Sequence, residues 1–191
     1  GTGASNTGPD WDILVMRSVD NGTSWSNPKP LATNAYKDQG NDVNPSIAVH
    51  TNSSGARKWI CVWQTDDTRN GADGDDTDIW FAVSHDDGDS WSDAGPLNVS
   101  TGTVADKGDD LHPKISVTAS GTWSVVWSSG ESLLGVTGVD FDVVVSTSTD
   151  GQTWSAPRTI HVDATRDDVD ETSVSIAASL TPSQANTQHA I

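Results

Sequence analysis

The stretch DDTRNGADGDDTD, residues 66–78, packs six Asp and one Asn into 13 residues. Closely spaced oxygen donors suit a hard cation such as Ca2+. Asp66, Thr68, Asn70 and Gly71 follow positions 1, 3, 5 and 6 of a calcium loop, although Thr77 stands at the twelfth position in place of Glu. Asp66, Asn70, Asp73 and Asp75 are the candidate Ca2+ ligands, and a solvated acidic turn is the competing reading. Other carboxylates gather at Asp109–Asp110 and at Asp167, Asp168 and Asp170. Asn52 and Asn98 head Asn-x-Ser/Thr sequons, candidate glycosylation sites wherever the producing cell glycosylates secreted proteins. Asn21 heads a third, inside a tight turn. The five His show no metal-ligand spacing, and Cys61 is alone, which excludes a disulfide framework and a cysteine zinc site.

The elements that must position these groups are repeated. SVDNGTSW (18–25) returns as SHDDGDSW (84–91) and, altered, as TSTDGQTW (147–154). The closing residues Trp25, Trp91 and Trp154 are 66 and 63 residues apart. Other strings repeat in step with them. DVNPSIAV (42–49) matches DLHPKISV (110–117), with ETSVSIAA (171–178) as a weaker copy, and RKWICVW (57–63) matches GTWSVVW (121–127). One unit therefore reads as four short strands with turns between them. Alternation puts Trp59, Cys61 and Trp63 on one strand face, with Val125 in the next unit at the place of Cys61. That position makes Cys61 a small buried hydrophobe.

Each octet reads as a turn. Asp20 and Asp86 sit where a short carboxylate accepts backbone N–H bonds, and Gly22, Gly88 and Gly151 sit where φ > 0 is needed. Ser18, Ser84 and Thr147 open the octets, and Trp25, Trp91 and Trp154 are expected to pack back under them. The third copy has Thr149 at the Asp position and Asp150 one place late, so its turn is expected to be built differently. These residues form a folding device, not a catalytic set.

The pattern S-x-D-x-G-x-[ST]-W resembles the Asp-box, or BNR repeat, of the sialidase-like β-propeller superfamily, and the likeness runs over about residues 11–178. The resemblance implies an all-β propeller of four-stranded antiparallel blades, with the octet between the third and fourth strands. Blade pieces are expected at about 11–31 (the last two strands), 42–98, 110–160 and 171–179 (a first strand). That is short of three blades, and propellers close with about 4–8. The chain is then a piece of a longer product, half of a ring closed by a second copy, or a subunit whose open edges pair in an assembly. A strand from the tail QANTQHAI is a candidate to pair with the last first strand. The resemblance also implies a sialidase apparatus of three arginines, a Tyr–Glu nucleophile and an acid/base Asp. Here there is one Tyr, Tyr36; the Glu are Glu131 and Glu171; the Arg are Arg17, Arg57, Arg69, Arg158 and Arg166; and the family's Arg-Ile-Pro motif is absent.

Composition narrows the function. The net charge is −17, carried by Asp, which argues against a nucleic-acid partner because phosphates need Lys and Arg. No apolar run is long enough to insert into a membrane. The chain opens without Met or a leader pattern, as expected of a processed chain or a fragment. The expected role is a non-catalytic, secreted or cell-surface propeller module acting in self-assembly or in surface and glycan binding. Its expected partners are other copies of itself and glycans. The alternative is a fragment of a sialidase or related glycoside hydrolase. Nine Trp are mostly explained by repeated positions, with Trp11 and Trp80 less regular and more often core than sugar platform.

Overall fold

A computed structural model describes residues 8–33, 35, 40–67, 76–97, 108–130, 140–160, 169–178 and 189–190. Every element in them is a strand, so the protein is all-β. The Asp-rich, Glu-poor composition accounts for that, because Asp favours turns over helix interiors.

The strands are β1 (Leu14–Val15), β2 (Lys29–Pro30), β3 (Asp42–Thr51), β4 (Arg57–Thr65), β5 (Asp78–Ser84) and β6 (Gly95–Pro96). They continue with β7 (Asp110–Val117), β8 (Trp123–Ser129), β9 (Asp142–Ser148), β10 (Arg158–Thr159), β11 (Ala177–Ala178) and β12 (His189–Ala190). Two four-stranded antiparallel meanders result, β3-β4-β5-β6 and β7-β8-β9-β10. Each is a propeller blade with a long first strand and a two-residue outer strand. Two smaller sheets flank them, β1-β2 and β11-β12. The last first strand is thus paired, and its partner lies in the tail 184–191. In both complete blades the first strand carries a bulge, at Val43/Ser46 and Leu111/Lys114. Asn44 and His112 occupy it with φ of 56° and 58°. His112 therefore belongs to a bulge, where its N–H donates to Gln64 Oε1 at 2.9 Å.

The core lies between blades. Ile60, Val62, Ile79 and Val83 of one blade cluster with Ile115, Val117, Trp123, Val125, Trp127 and Val144 of the next. A second cluster joins Ile13 and Leu31 to Cys61, Trp63, Trp80 and Ala82. Full burial of one such side chain is worth about 1.5–3 kcal/mol, whereas an exposed ion pair contributes at most about 1 kcal/mol. Apolar faces therefore hold the blades together, and the pairs Arg17–Asp89 (3.6 Å) and Arg57–Asp87 (2.6 Å) add little.

A repeated joint also links successive blades. The N–H groups of Asp42, Asp110 and Glu171 donate to the carbonyls of Trp11, Thr77 and Phe141, each at 2.7 Å. In return, the N–H groups of Trp11, Thr77 and Phe141 donate to side-chain oxygens of Asn41 (3.3 Å), Asp109 (2.9 Å) and Asp170 (3.0 Å). The start of each third strand is thus fixed at two points to the first strand of the following blade.

Candidate functional site

The two ends of the blades differ. The hairpin turns 52–56 and 118–122 and the three octets lie at one end. The connections 66–77, 97–109, 130–141 and 160–170 leave and re-enter the blades at the other.

At the octet end, Ser84 Oγ donates to Asp86 Oδ1 (2.8 Å) and accepts the Gly88 N–H (2.9 Å). Asp86 then accepts the Ser90 N–H on Oδ1 (2.8 Å) and the Ser90 hydroxyl on Oδ2 (2.5 Å). Ser18, Asp20, Gly22 and Ser24 repeat this network at 2.6–2.9 Å. The donors converging on each carboxylate favour its ionised form. Ser24, above all, holds Asp20 down to about 2. Asp86 and Asp150 lie well below the usual carboxylate range, through Ser90 and through the Thr153 and Gln152 N–H groups respectively.

The third octet corrects the sequence alignment. Trp59 pairs with Ser84 and Trp123 pairs with Ser148, so Ser148, not Thr147, occupies the serine position. Ser148 Oγ donates to Asp150 (2.9 Å) and accepts the Gly151 N–H (2.8 Å). One residue is missing between Asp and Gly. The first two octets need two positive-φ residues, Asn21–Gly22 and Asp87–Gly88, and the third needs only Gly151. Asp150 stands in the aspartate position in place of Thr149.

The Trp residues reach beyond their own octets. Trp154 meets Phe81 of the preceding blade edge-to-face at 5.8 Å, and Trp91 joins the cluster of Ile13, Trp63 and Trp80. Trp25 is 59% exposed. Trp80 is core, whereas Trp11 is 70% exposed, against the expectation of a core position.

At the loop-bearing end, buried carboxylates flank a hydroxyl in each blade. Asp42 and Asp78 pair in register with Thr65 from either side, and Asp110 and Asp142 pair likewise with Ser129. All four Asp are buried. Burial raises Asp42 to about 6, and the charges of Asp12 and Asp67 push the same way, against the lowering effect of the neighbouring Thr65 hydroxyl. Sequence reasoning did not single out this set, although its signal is plain: the strand strings DVNPSIAV, DIWFAV, DLHPKISV and DVVV each open with Asp.

The other candidates are dispersed. Asp66 accepts hydrogen bonds from the backbone N–H and the side-chain amide of Asn41, while Asn70, Asp73 and Asp75 lie outside the described residues. Among the described residues, no three His, Cys, Asp or Glu side chains are grouped to hold a metal ion. Asn52 is exposed in the 52–56 turn, where its Oδ1 accepts from Ser54 and Ala56, and Asn98 lies outside the described residues. Arg17 and Arg57 are held by Asp89 and Asp87 at the octet end. Arg158 lies in β10. Glu171 opens the last first strand, where its carbonyl accepts the Ser128 hydroxyl (2.5 Å). Tyr36, Arg69, Glu131 and Arg166 lie outside the described residues. Burial pushes the Cys61 thiol up to about 12, which suits an inert core residue.

No protein-family model matches the chain, and no curated protein matches it. Solved structures do. A protein of unknown function from Dyadobacter fermentans matches 88% of this chain and 41% of its own, at 17% identity and TM-score 0.54. The Hadza microbial sialidase Hz136 matches 75% of this chain and 30% of its own, at 16% identity and TM-score 0.51. The leech intramolecular trans-sialidase matches 88% of this chain and 22% of its own, at 17% identity and TM-score 0.51. The chain spans well under half the length of each. At these identities the likeness is one of fold alone, that of a β-propeller.

Proposed function

We propose that the chain is a non-catalytic, extracellular Asp-box propeller segment that meets glycans with its loop-bearing end. One observation carries this reading. The long connections, within and between blades, start and finish at one end, and the octets, short turns and Arg–Asp pairs occupy the other. Loops mounted on rigid strands are where binding surfaces are built. Two of the structural neighbours are by name a sialidase and a trans-sialidase, which makes a glycan the ligand class to test first. The non-catalytic part is supported by the missing Arg-Ile-Pro string and by two of the five arginines. Arg17 and Arg57 are engaged at the end away from the loops, so neither is available to clamp a substrate carboxylate there.

The test is a glycan array of sialylated and neutral oligosaccharides, run beside a fluorogenic sialoside assay. Binding without turnover is expected, and it should persist in Arg57→Ala. Turnover by the chain would replace this reading with a sialidase, and silence across the array would remove glycans as the ligand.

A further inference from the structure

We propose that a Ca2+ ion binds at the head of β9, where the second full blade is joined to the strand after it, on the carboxylates of Asp140 and Asp142. Asp140 is 7% exposed. Both of its carboxylate oxygens are closed to solvent, and neither has a hydrogen-bond partner. A carboxylate buried in that state is costly, and proteins compensate it with donors or with a cation. Here the donors are missing.

The feature recurs. Asp10 stands at the equivalent joint of the first repeat, and both of its carboxylate oxygens are likewise closed to solvent and without a hydrogen-bond partner. Asp76 holds the same place in the second repeat. Each third strand is therefore headed by Asp-x-Asp: Asp10-Trp11-Asp12, Asp76-Thr77-Asp78 and Asp140-Phe141-Asp142. The middle residue is the one whose N–H and carbonyl make the joint.

The joint fixes which way the carboxylates face. Phe141 donates its N–H to Asp170 Oδ1 (3.0 Å), and its carbonyl accepts the Glu171 N–H (2.7 Å). Its ring lies against Gly130, where an added Cβ would stand 3.3 Å from Cε1. Neighbours on either side of an extended residue point away from it, so Asp140 and Asp142 share the opposite side. Asp142 is buried as well and pairs in register with Ser129. Asp170 and Glu171 bring further negative charge to the joint, while the Arg–Asp pairs lie at the far end of the blades.

Oxygen donors that include two carboxylates suit a hard cation. Two carboxylates fall short of the three-residue grouping that is absent among the described residues. Backbone carbonyls and water complete the shell, which for Ca2+ is a flexible set of about 6–8 oxygens. Mg2+ demands near-ideal octahedral geometry and sheds water reluctantly, so it should bind more weakly.

Isothermal titration of Ca2+ into the full 191-residue chain, with calorimetric melting in EGTA and in Ca2+, tests this. A Kd of about 0.1–1 mM is expected, the range of extracellular calcium modules. Ca2+ at tenfold its Kd should raise the melting temperature by about 3–6 °C. Asp140→Asn keeps the shape of the side chain and removes its charge. It should bind one ion fewer, and in EGTA it should melt above the wild type because the uncompensated charge is gone. Asp73→Asn, in the 66–78 stretch, should leave the titration unchanged. A wild type whose melting ignores Ca2+, an Asp140→Asn variant that melts lower in EGTA, tighter binding of Mg2+ than of Ca2+, or loss of the ion in Asp73→Asn but not in Asp140→Asn would each overturn the proposal.

Discussion

Asp42 and Asp20 are both hydrogen-bonded carboxylates, and they respond to acid in opposite directions. Burial raises Asp42 from 3.8 to about 6, so the folded state holds its proton more tightly than the unfolded chain. Its stabilising contribution is complete below pH 3.8 and is lost as the pH rises through about 6. Asp42→Asn should therefore raise the melting temperature at pH 7 by roughly 2–6 °C, with the gain gone below pH 4. Calorimetry of both proteins at the two pH values checks this. Asp20, held at about 2 by Ser24 and Ser18, behaves as the usual carboxylate does. Its contribution is complete above pH 3.8 and is lost as the pH falls through about 2. Asp86 and Asp150 move the same way, so unfolding in acid should steepen as the octets protonate. Asp86→Ala should lower the melting temperature more at pH 7 than at pH 2, because the folded carboxylate gives up its contribution only as the pH falls through its depressed range. An equal loss at both pH values would mean that the octet acts through packing rather than through its charge.

Octets that look alike in sequence are unequal as elements, and glycine substitutions should expose the difference. A Cβ at Gly22 meets nothing within 4 Å, whereas at Gly151 it would lie 2.6 Å from Ile60 Cδ1 in the preceding blade. Both have positive φ, so each Gly→Ala change strains the turn. Gly151→Ala must also displace the buried Ile60 side chain, and chemical denaturation should show it costing about 1–3 kcal/mol more than Gly22→Ala. The strands and their order were legible in the sequence because alternation and the repeated strings report local geometry. Three features were not. The outer strands shrink to two residues, with Pro at Pro30 and Pro96 in two of them, and Pro cannot donate to a ladder. The one-residue deletion in the third octet is hidden when copies are aligned on Trp, and only strand pairing reveals Ser148. β12 has no strand-like pattern of its own and is defined by pairing with β11. At the candidate site, the Asp at each strand head was visible as a letter. Its burial was not, because burial depends on the neighbouring blade.

For the whole molecule, the exposure of Trp25 and Ile47 follows from the same dependence, since a residue is core here only when a preceding blade covers it. The net charge of −17 sets how the molecule meets itself and its ligands. Two such chains repel at long range, and salt screens that repulsion within about 10 Å at 0.1 M. The joints between blades carry a further consequence. Trp11 with Asp42, Thr77 with Asp110, and Phe141 with Glu171 are one connector used three times, made mainly of backbone groups that any residue supplies. An in-frame duplication or loss of one repeat would arrive with matching connectors on both sides. Gene rearrangement can then change the number of blades without reinventing the contact between them, and the fold's history is open to growth by whole repeats.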